Sequence, residues 1–243
     1  MLRDDLRGIF YIMLKDLRAY YFKPPNISWG ILFPFAFVLV FVIRNPDNLG
    51  SLLPGLLALT LLFSTSSMEA IVVTFERRIG ALERLLLAPV RLPALLAGKV
   101  LGGMVFGLAT TVVVLIVALL SQGGQGIDWL LLIAAMILSA AAFAALGVLV
   151  SVAVQEVFEA QTLANMFRFP MMFLSGVFVP LSALPPGLRI VARVLPLTYA
   201  VEALQSATGV RQPLAVGLDM AVLAAFTALL FALAVRTLAR QMA

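Results

Sequence analysis

The sequence predicts an all-α polytopic membrane protein: six transmembrane helices, an N-terminal interfacial amphipathic helix, and two short re-entrant helices before the last span. Three observations predict it. Hydrophobic residues make up 63% of the 243 positions and charged residues 12%, with a mean hydropathy of +1.09. An ordinary soluble domain is about 45–50% apolar and about 25% charged, so one core of this length could not hide so much apolar surface. Six apolar segments also approach the ~20 residues that a spanning helix needs, and most basic residues gather in a few loops beside them. No fixed-period repeat is apparent, and 1–243 reads as a single transmembrane domain.

Taken in order, residues 1–25 form the interfacial helix. Leu2, Leu6, Ile9, Met13, Leu17 and Tyr20 recur at helical spacing, with the charges on the other face, a pattern that lies in a membrane surface rather than crossing it. Lys23-Pro24-Pro25 ends it. Arg3, Asp4, Asp5, Arg7, Lys15, Asp16 and Arg18 interrupt any apolar run, so no cleavable leader is expected. The six spans are 27–43, 51–73, 100–120, 129–152, 162–180 and 214–236. Gly98, Gly102, Gly103 and Gly107 in the third, and Ser139-Ala140-Ala141-Ala142 in the fourth, let helix backbones approach closely. Packing within the subunit is the expected use, a dimer face the alternative. The stretch 181–208 is half apolar but broken by Pro180, Pro185, Pro186 and Pro196. Proline disrupts a helix interior, and irregular backbone at membrane depth must be buried in protein or line a cavity. Two short helices at 183–194 and 197–208 that dip back into the outer leaflet meet that requirement.

The positive-inside rule orients the chain. Lys and Arg concentrate in 1–26, 74–99 and 236–243, whereas the opposite loops hold Arg44, Arg189, Arg193 and Arg211. Both termini and the 74–99 loop are therefore expected in the cytoplasm. The net charge of +5 is explained by this distribution, and no nucleic-acid partner is implied.

Cysteine and histidine are absent, which excludes disulfides, thiol nucleophiles and imidazole ligands or bases, and no metal site is expected. Glu69, in the second span beside Ser64, Thr65, Ser66 and Ser67, would suit a proton-coupled carrier, since an acid at bilayer depth is paired or near water. A near-interface acid paired with a neighbouring basic residue is the favoured reading. Glu156 and Glu159 read as helix-capping charges, and Glu202 as a partner for Arg189 or Arg193. Trp29, Phe33, Phe37 and Phe41, and Phe169 and Phe173 with Met166 and Met172, form stripes suited to packing or lipid contact, or to a surface along which an amphiphile slides. An intramembrane enzyme has little support without clustered acids, histidine or cysteine.

The densest charge lies in the 74–99 loop, at Glu76, Arg77, Arg78, Glu83, Arg84 and Arg91. Ile79, Leu82 and Leu86 share a helical face opposite most of these charges, and Pro89 follows. A loop that served topology alone would need basic residues but no such pattern. A docking element needs an apolar ridge for a partner's groove and charges that fix register.

Glu76-Arg77-Arg78, Gly80-Ala81-Leu82-Glu83-Arg84-Leu85-Leu86 and Ala88-Pro89-Val90 resemble the "ER..GTLERLL.TPV" loop of ABC type-2 transporter permeases, with Ala81 replacing the usual threonine. Phe169 through Pro180, followed by Leu184-Pro185 and Leu195 through Ala203, resembles their "P..FLSG.F.P" signature and its continuation. The resemblance covers nearly the whole chain. It implies a permease of a prokaryotic plasma (inner) membrane that dimerises, more readily with itself than with another chain, and exports an amphiphile such as a drug, lipid or lipid-linked glycan. Energy would come from cytoplasmic ABC ATP-binding subunits holding ATP and magnesium, with no cofactor and no catalysis on this chain. Glu76, Arg77, Arg78, Gly80, Leu82, Glu83, Arg84, Leu85 and Leu86 would be the coupling element. Trp29, Phe33, Phe37, Phe41, Phe169, Met172 and Phe173 would line the path, and Pro180, Pro185, Pro196, Tyr199 and Glu202 the outer gate. Independently, no GxxxxGK[ST] phosphate loop occurs: Gly98-Lys99 is followed by Val100, and Pro93 stands where the first glycine should.

Overall fold

In the computed structural model, residues 2–23, 36, 49–122, 126–210 and 216–242 are described. The expected first span, with Trp29, Phe33, Phe37 and Phe41, lies outside them. Regular structure among the described residues is entirely helical. Helix α1 (Leu2–Asp16) continues into a π-turn at Leu17–Tyr21, then come α2 (Leu49–Arg78), α3 (Ala81–Leu86), α4 (Leu92–Gln122), α5 (Trp129–Ala153), α6 (Val157–Leu174), α7 (Pro186–Arg193), α8 (Pro196–Ala207) and α9 (Val216–Met242). Four of these helices are long and apolar enough to cross a membrane, over Leu52–Arg78, Leu92–Leu120, Trp129–Ala153 and Val216–Met242.

Helix α5 is the centre of the bundle, packed on α2, α9, α4 and α8. The alanine run lets it sit there: Ala140, Ala142, Ala144 and Ala145 are fully buried, and small side chains allow close helix approach. The largest core gathers Leu57, Leu61 and Leu62 of α2, Phe143 of α5 and Leu197, Val201 and Leu204 of α8. A second core joins Ile12, Val73, Leu82, Leu95, Val148 and Leu238.

The α4 glycines are spent inside the subunit, as expected. A β-carbon at Gly98 would lie 3.0 Å from Ile12 Cβ, at Gly102 3.1 Å from the Tyr21 ring, at Gly103 2.5 Å from Glu69 Oε1 and at Gly107 2.1 Å from Thr65 Cγ2. The stripe thus seats α1 and α2 against α4.

Several expectations are corrected. The α1 stripe is rotated: Leu6 is exposed, Ile9, Met13 and Tyr20 are half-buried, and the buried face is Ile12, Asp16, Leu17 and Tyr21. The π-turn inserts an extra residue, so Tyr21 rather than Tyr20 points inward. The fifth segment is an 18-residue helix that runs from Val157 to Leu174 rather than over 162–180. It starts early because Glu156 and Glu159 form a reciprocal capping box, as their sequence positions suggested. It stops where Ser175 leads into Gly176 at φ 85°, and it is not among the four long apolar helices. The charged loop is also not one helix over 76–87. Glu76, Arg77 and Arg78 finish α2, and only Ala81–Leu86 forms α3. The proline-broken stretch does contain two short helices, α7 and α8, close to the expected bounds.

Candidate functional site

Gly80 sets the geometry of the charged loop. Its φ of 69° is left-handed, which glycine alone adopts freely, and its N–H closes the end of α2 on Arg77 O at 3.1 Å. The chain then reverses into α3. Leu82 is 1% exposed in the second core, and Leu85 and Leu86 pack at that core's edge. Arg78, Ile79, Glu83, Arg84 and Leu87 are exposed, Leu87 at 86%. One leucine anchors the short helix, and its charged and apolar outer surface is left open.

Behind it lies an ion cluster. Fully buried Lys99, near the start of α4, donates to Asp16 Oδ2 of α1 at 3.1 Å and to Glu76 Oε2 of α2 at 2.5 Å. Lys15 bonds the other Glu76 oxygen and approaches Asp16 Oδ1 at 2.9 Å. Glu76 therefore points into the bundle, away from the surface formed by Glu83 and Arg84. Burial pushes the Asp16 carboxyl above its ordinary range, against the opposing pull of Lys99. Arg77 ties the same end together: Nη1 donates to Val154 O at 3.0 Å and Nη2 to Gln241 Oε1 at 3.0 Å. The ends of α2, α5 and α9 and the start of α4 thus meet on one basic face.

Among the described residues, no basic side chain forms an ion pair with Glu69. The Tyr21 hydroxyl donates to its Oε1 at 2.6 Å, while Oε2 is buried with no hydrogen-bond partner among the described residues. Burial raises the Tyr21 phenol well above its ordinary value, which keeps it a donor. Arg168 of α6 is also fully buried. Its Nε donates to Ser66 Oγ at 2.8 Å and Nη1 to Asn165 Oδ1 at 3.0 Å, and Nη2 has no partner among the described residues. Sequence reading passed over Arg168, Lys99 and Asp16. Lys99 and Asp16 read only as charges at the ends of segments, whereas Arg168 lies within the 162–180 segment, and a charge inside an apolar helix is itself a signal.

The expected path residues divide. Phe169 and Phe173 are exposed on α6, and Met172 is 5% exposed and turned inward. At the end opposite the basic face, Pro180 precedes a 3₁₀ turn, Pro185 caps α7, and Pro196 is the first residue of α8, where proline's missing donor costs nothing. Glu202 pairs with Arg193 at 2.7 Å rather than with Arg189, and the Tyr199 hydroxyl donates to Arg193 O at 2.7 Å. Arg189 instead donates to the carbonyls of Leu181, Ser182 and Leu184.

A family model described as ABC-2 type transporter matches residues 7–208. Curated proteins named inner membrane transport permease YadH, from Escherichia coli strain K12 and from Shigella flexneri, are each 26% identical over 153 residues, covering 62% of this chain and 59% of the relative. The match thus spans about three fifths of the curated relatives' length.

Proposed function

The chain belongs to the ABC-2 type transporter family, and on that premise we propose that it is the membrane-spanning permease subunit of an ATP-driven exporter of an amphiphilic substrate in a prokaryotic inner membrane. The observation that carries this reading is α3: anchored by buried Leu82, it presents Glu83 and Arg84 outward, with Ile79 and Leu87 exposed just before and after it. A helix seated this way is suited to enter a groove on a cytoplasmic ATP-binding subunit, which holds ATP and magnesium. ATP-driven movement of that subunit then shifts α3, and with it the ends of α2 and α4. The basic face is cytoplasmic on this reading, with both termini there. Segments 27–43 and 157–174 complete six spans, and α7 and α8 re-enter the outer leaflet. Two identical chains enclose a path lined by the first span and by Phe169 and Phe173, closed outside by Pro180, Pro185, Pro196, Tyr199 and Glu202.

The test is ATP-dependent uptake of a fluorescent amphiphile into inside-out vesicles. Glu83→Ala and Arg84→Glu should insert at the normal level and lose most of the uptake. Undiminished uptake by both would remove α3 from the coupling role.

A second reading, a proton-coupled carrier, draws on Glu69, whose buried Oε2 has no hydrogen-bond partner among the described residues. Full ATP-dependent uptake by Glu69→Gln would exclude it.

A further inference from the structure

At the end of the bundle opposite the basic face, a cavity of about 580 Å³ opens between the start of α2, the bend after α6, and helices α7 and α8. Its size is within the roughly 300–1,000 Å³ usual for small-molecule sites. Its lining combines apolar Leu52, Val177, Phe178 and Leu181 with charged Arg189, Arg193 and Glu202.

The charges do not balance. Glu202, 4% exposed, is matched by Arg193. Arg189 is pinned by Nε to Leu181 O at 3.2 Å and by Nη2 to Ser182 O at 2.9 Å and Leu184 O at 3.1 Å. Those partners are neutral, and among the described residues no carboxylate forms an ion pair with it. The cavity therefore holds an exposed guanidinium that has no counter-ion among the described residues but whose position is fixed by three carbonyls. Topology does not require it, because basic residues on the outer side oppose the positive-inside rule. Three of its five N–H donors are taken by those carbonyls, which leaves Nη1 to donate to a carboxylate or phosphate oxygen, and the apolar lining residues are suited to a short hydrocarbon chain.

We propose that this cavity binds the anionic head of an amphiphile, a phosphate or carboxylate on Arg189 with the adjoining carbons against Leu52, Val177 and Phe178. The site would select anionic over neutral amphiphiles where the cargo leaves the chain. The placement at the cargo's exit rests on the exporter reading, whereas the binding itself is measured without ATP or a partner, so failure of one is distinguishable from failure of the other.

The experiment is titration of the full chain, in phosphatidylcholine nanodiscs, with hexyl phosphate, hexanol and inorganic phosphate. Hexyl phosphate should bind saturably and hexanol should not. Inorganic phosphate alone should bind much more weakly. Arg189→Gln should weaken hexyl phosphate by about tenfold or more, the usual consequence of losing a charge-assisted contact. Ser182→Trp, at the cavity rim, should reduce it by filling space. Should Arg189→Gln fail to fold, the wild type decides, since raising salt must weaken hexyl phosphate and leave any hexanol signal unchanged. Equal binding by Arg189→Gln, equal binding of hexanol, or no salt dependence would overturn the proposal. Equally tight inorganic phosphate would make this a free-anion site and overturn the amphiphile assignment.

Discussion

Lys99 Nζ of α4 lies 3.1 Å from Asp16 Oδ2 of α1, two fully buried side chains 83 residues apart. With Glu76 they clamp the N-terminal helix and the end of α2 to one point, directly behind α3. Removing the cation would leave two acids buried with Lys15 alone, and breaking a buried pair costs about 3–5 kcal/mol. Lys99→Met should therefore destabilise the detergent-solubilised protein by about that much in thermal unfolding. Lys15→Met, at a half-exposed partner, should cost about 1 kcal/mol or less. Equal losses would mean that the cluster does not centre on Lys99.

Arg168 behaves oppositely. Its partners are neutral, Ser66 and Asn165, with the Phe63 ring 5.7 Å away. A buried charge without an acid among the described residues carries its own desolvation cost, which offsets the loss of its hydrogen bonds, so Arg168→Gln should change stability by no more than about 1 kcal/mol. A loss matching Lys99→Met, measured in the same unfolding assay, would show that Arg168 braces α6 against α2 by more than these contacts.

The glycines differ by surroundings. At Gly107 a methyl group would meet Thr65 Cγ2 at 2.1 Å, and at Gly187 nothing lies within 4 Å. Gly107→Ala should destabilise by about 1–3 kcal/mol through overpacking. Gly187→Ala, inside α7, should be neutral or stabilise by up to about 1 kcal/mol. The same ranking should appear in the amount of folded protein recovered from membranes.

The long apolar helices were legible because composition dictates them: a run such as Trp129–Ala153 has no soluble alternative. Proline marked the starts of α7 and α8, and Glu156 with Glu159 marked the start of α6, since these act on local backbone. The Arg193–Glu202 pair was legible as one of two options because its members lie nine residues apart. The partners of Glu69 and Glu76 were not legible. Tyr21 and Lys99 reach them across 48 and 23 residues, through an approach that Gly102 and Gly103 permit. The π-turn that rotates α1 also leaves no mark in the hydrophobic period. The single helix expected over 76–87 failed at Gly80, whose left-handed φ separates the buried Glu76 from the exposed Glu83. The exposed surface proposed for docking is consequently smaller than the charged stretch that suggested it.

The most direct measurement of the central claim is affinity purification of this chain from its native membrane under mild solubilisation, with mass spectrometry of what accompanies it. The account predicts a near-stoichiometric subunit carrying a GxxxxGK[ST] phosphate loop, lost on Arg84→Glu and retained on Gly187→Ala. Recovery of the chain alone under several mild detergents, or a partner that Arg84→Glu leaves bound, would contradict it.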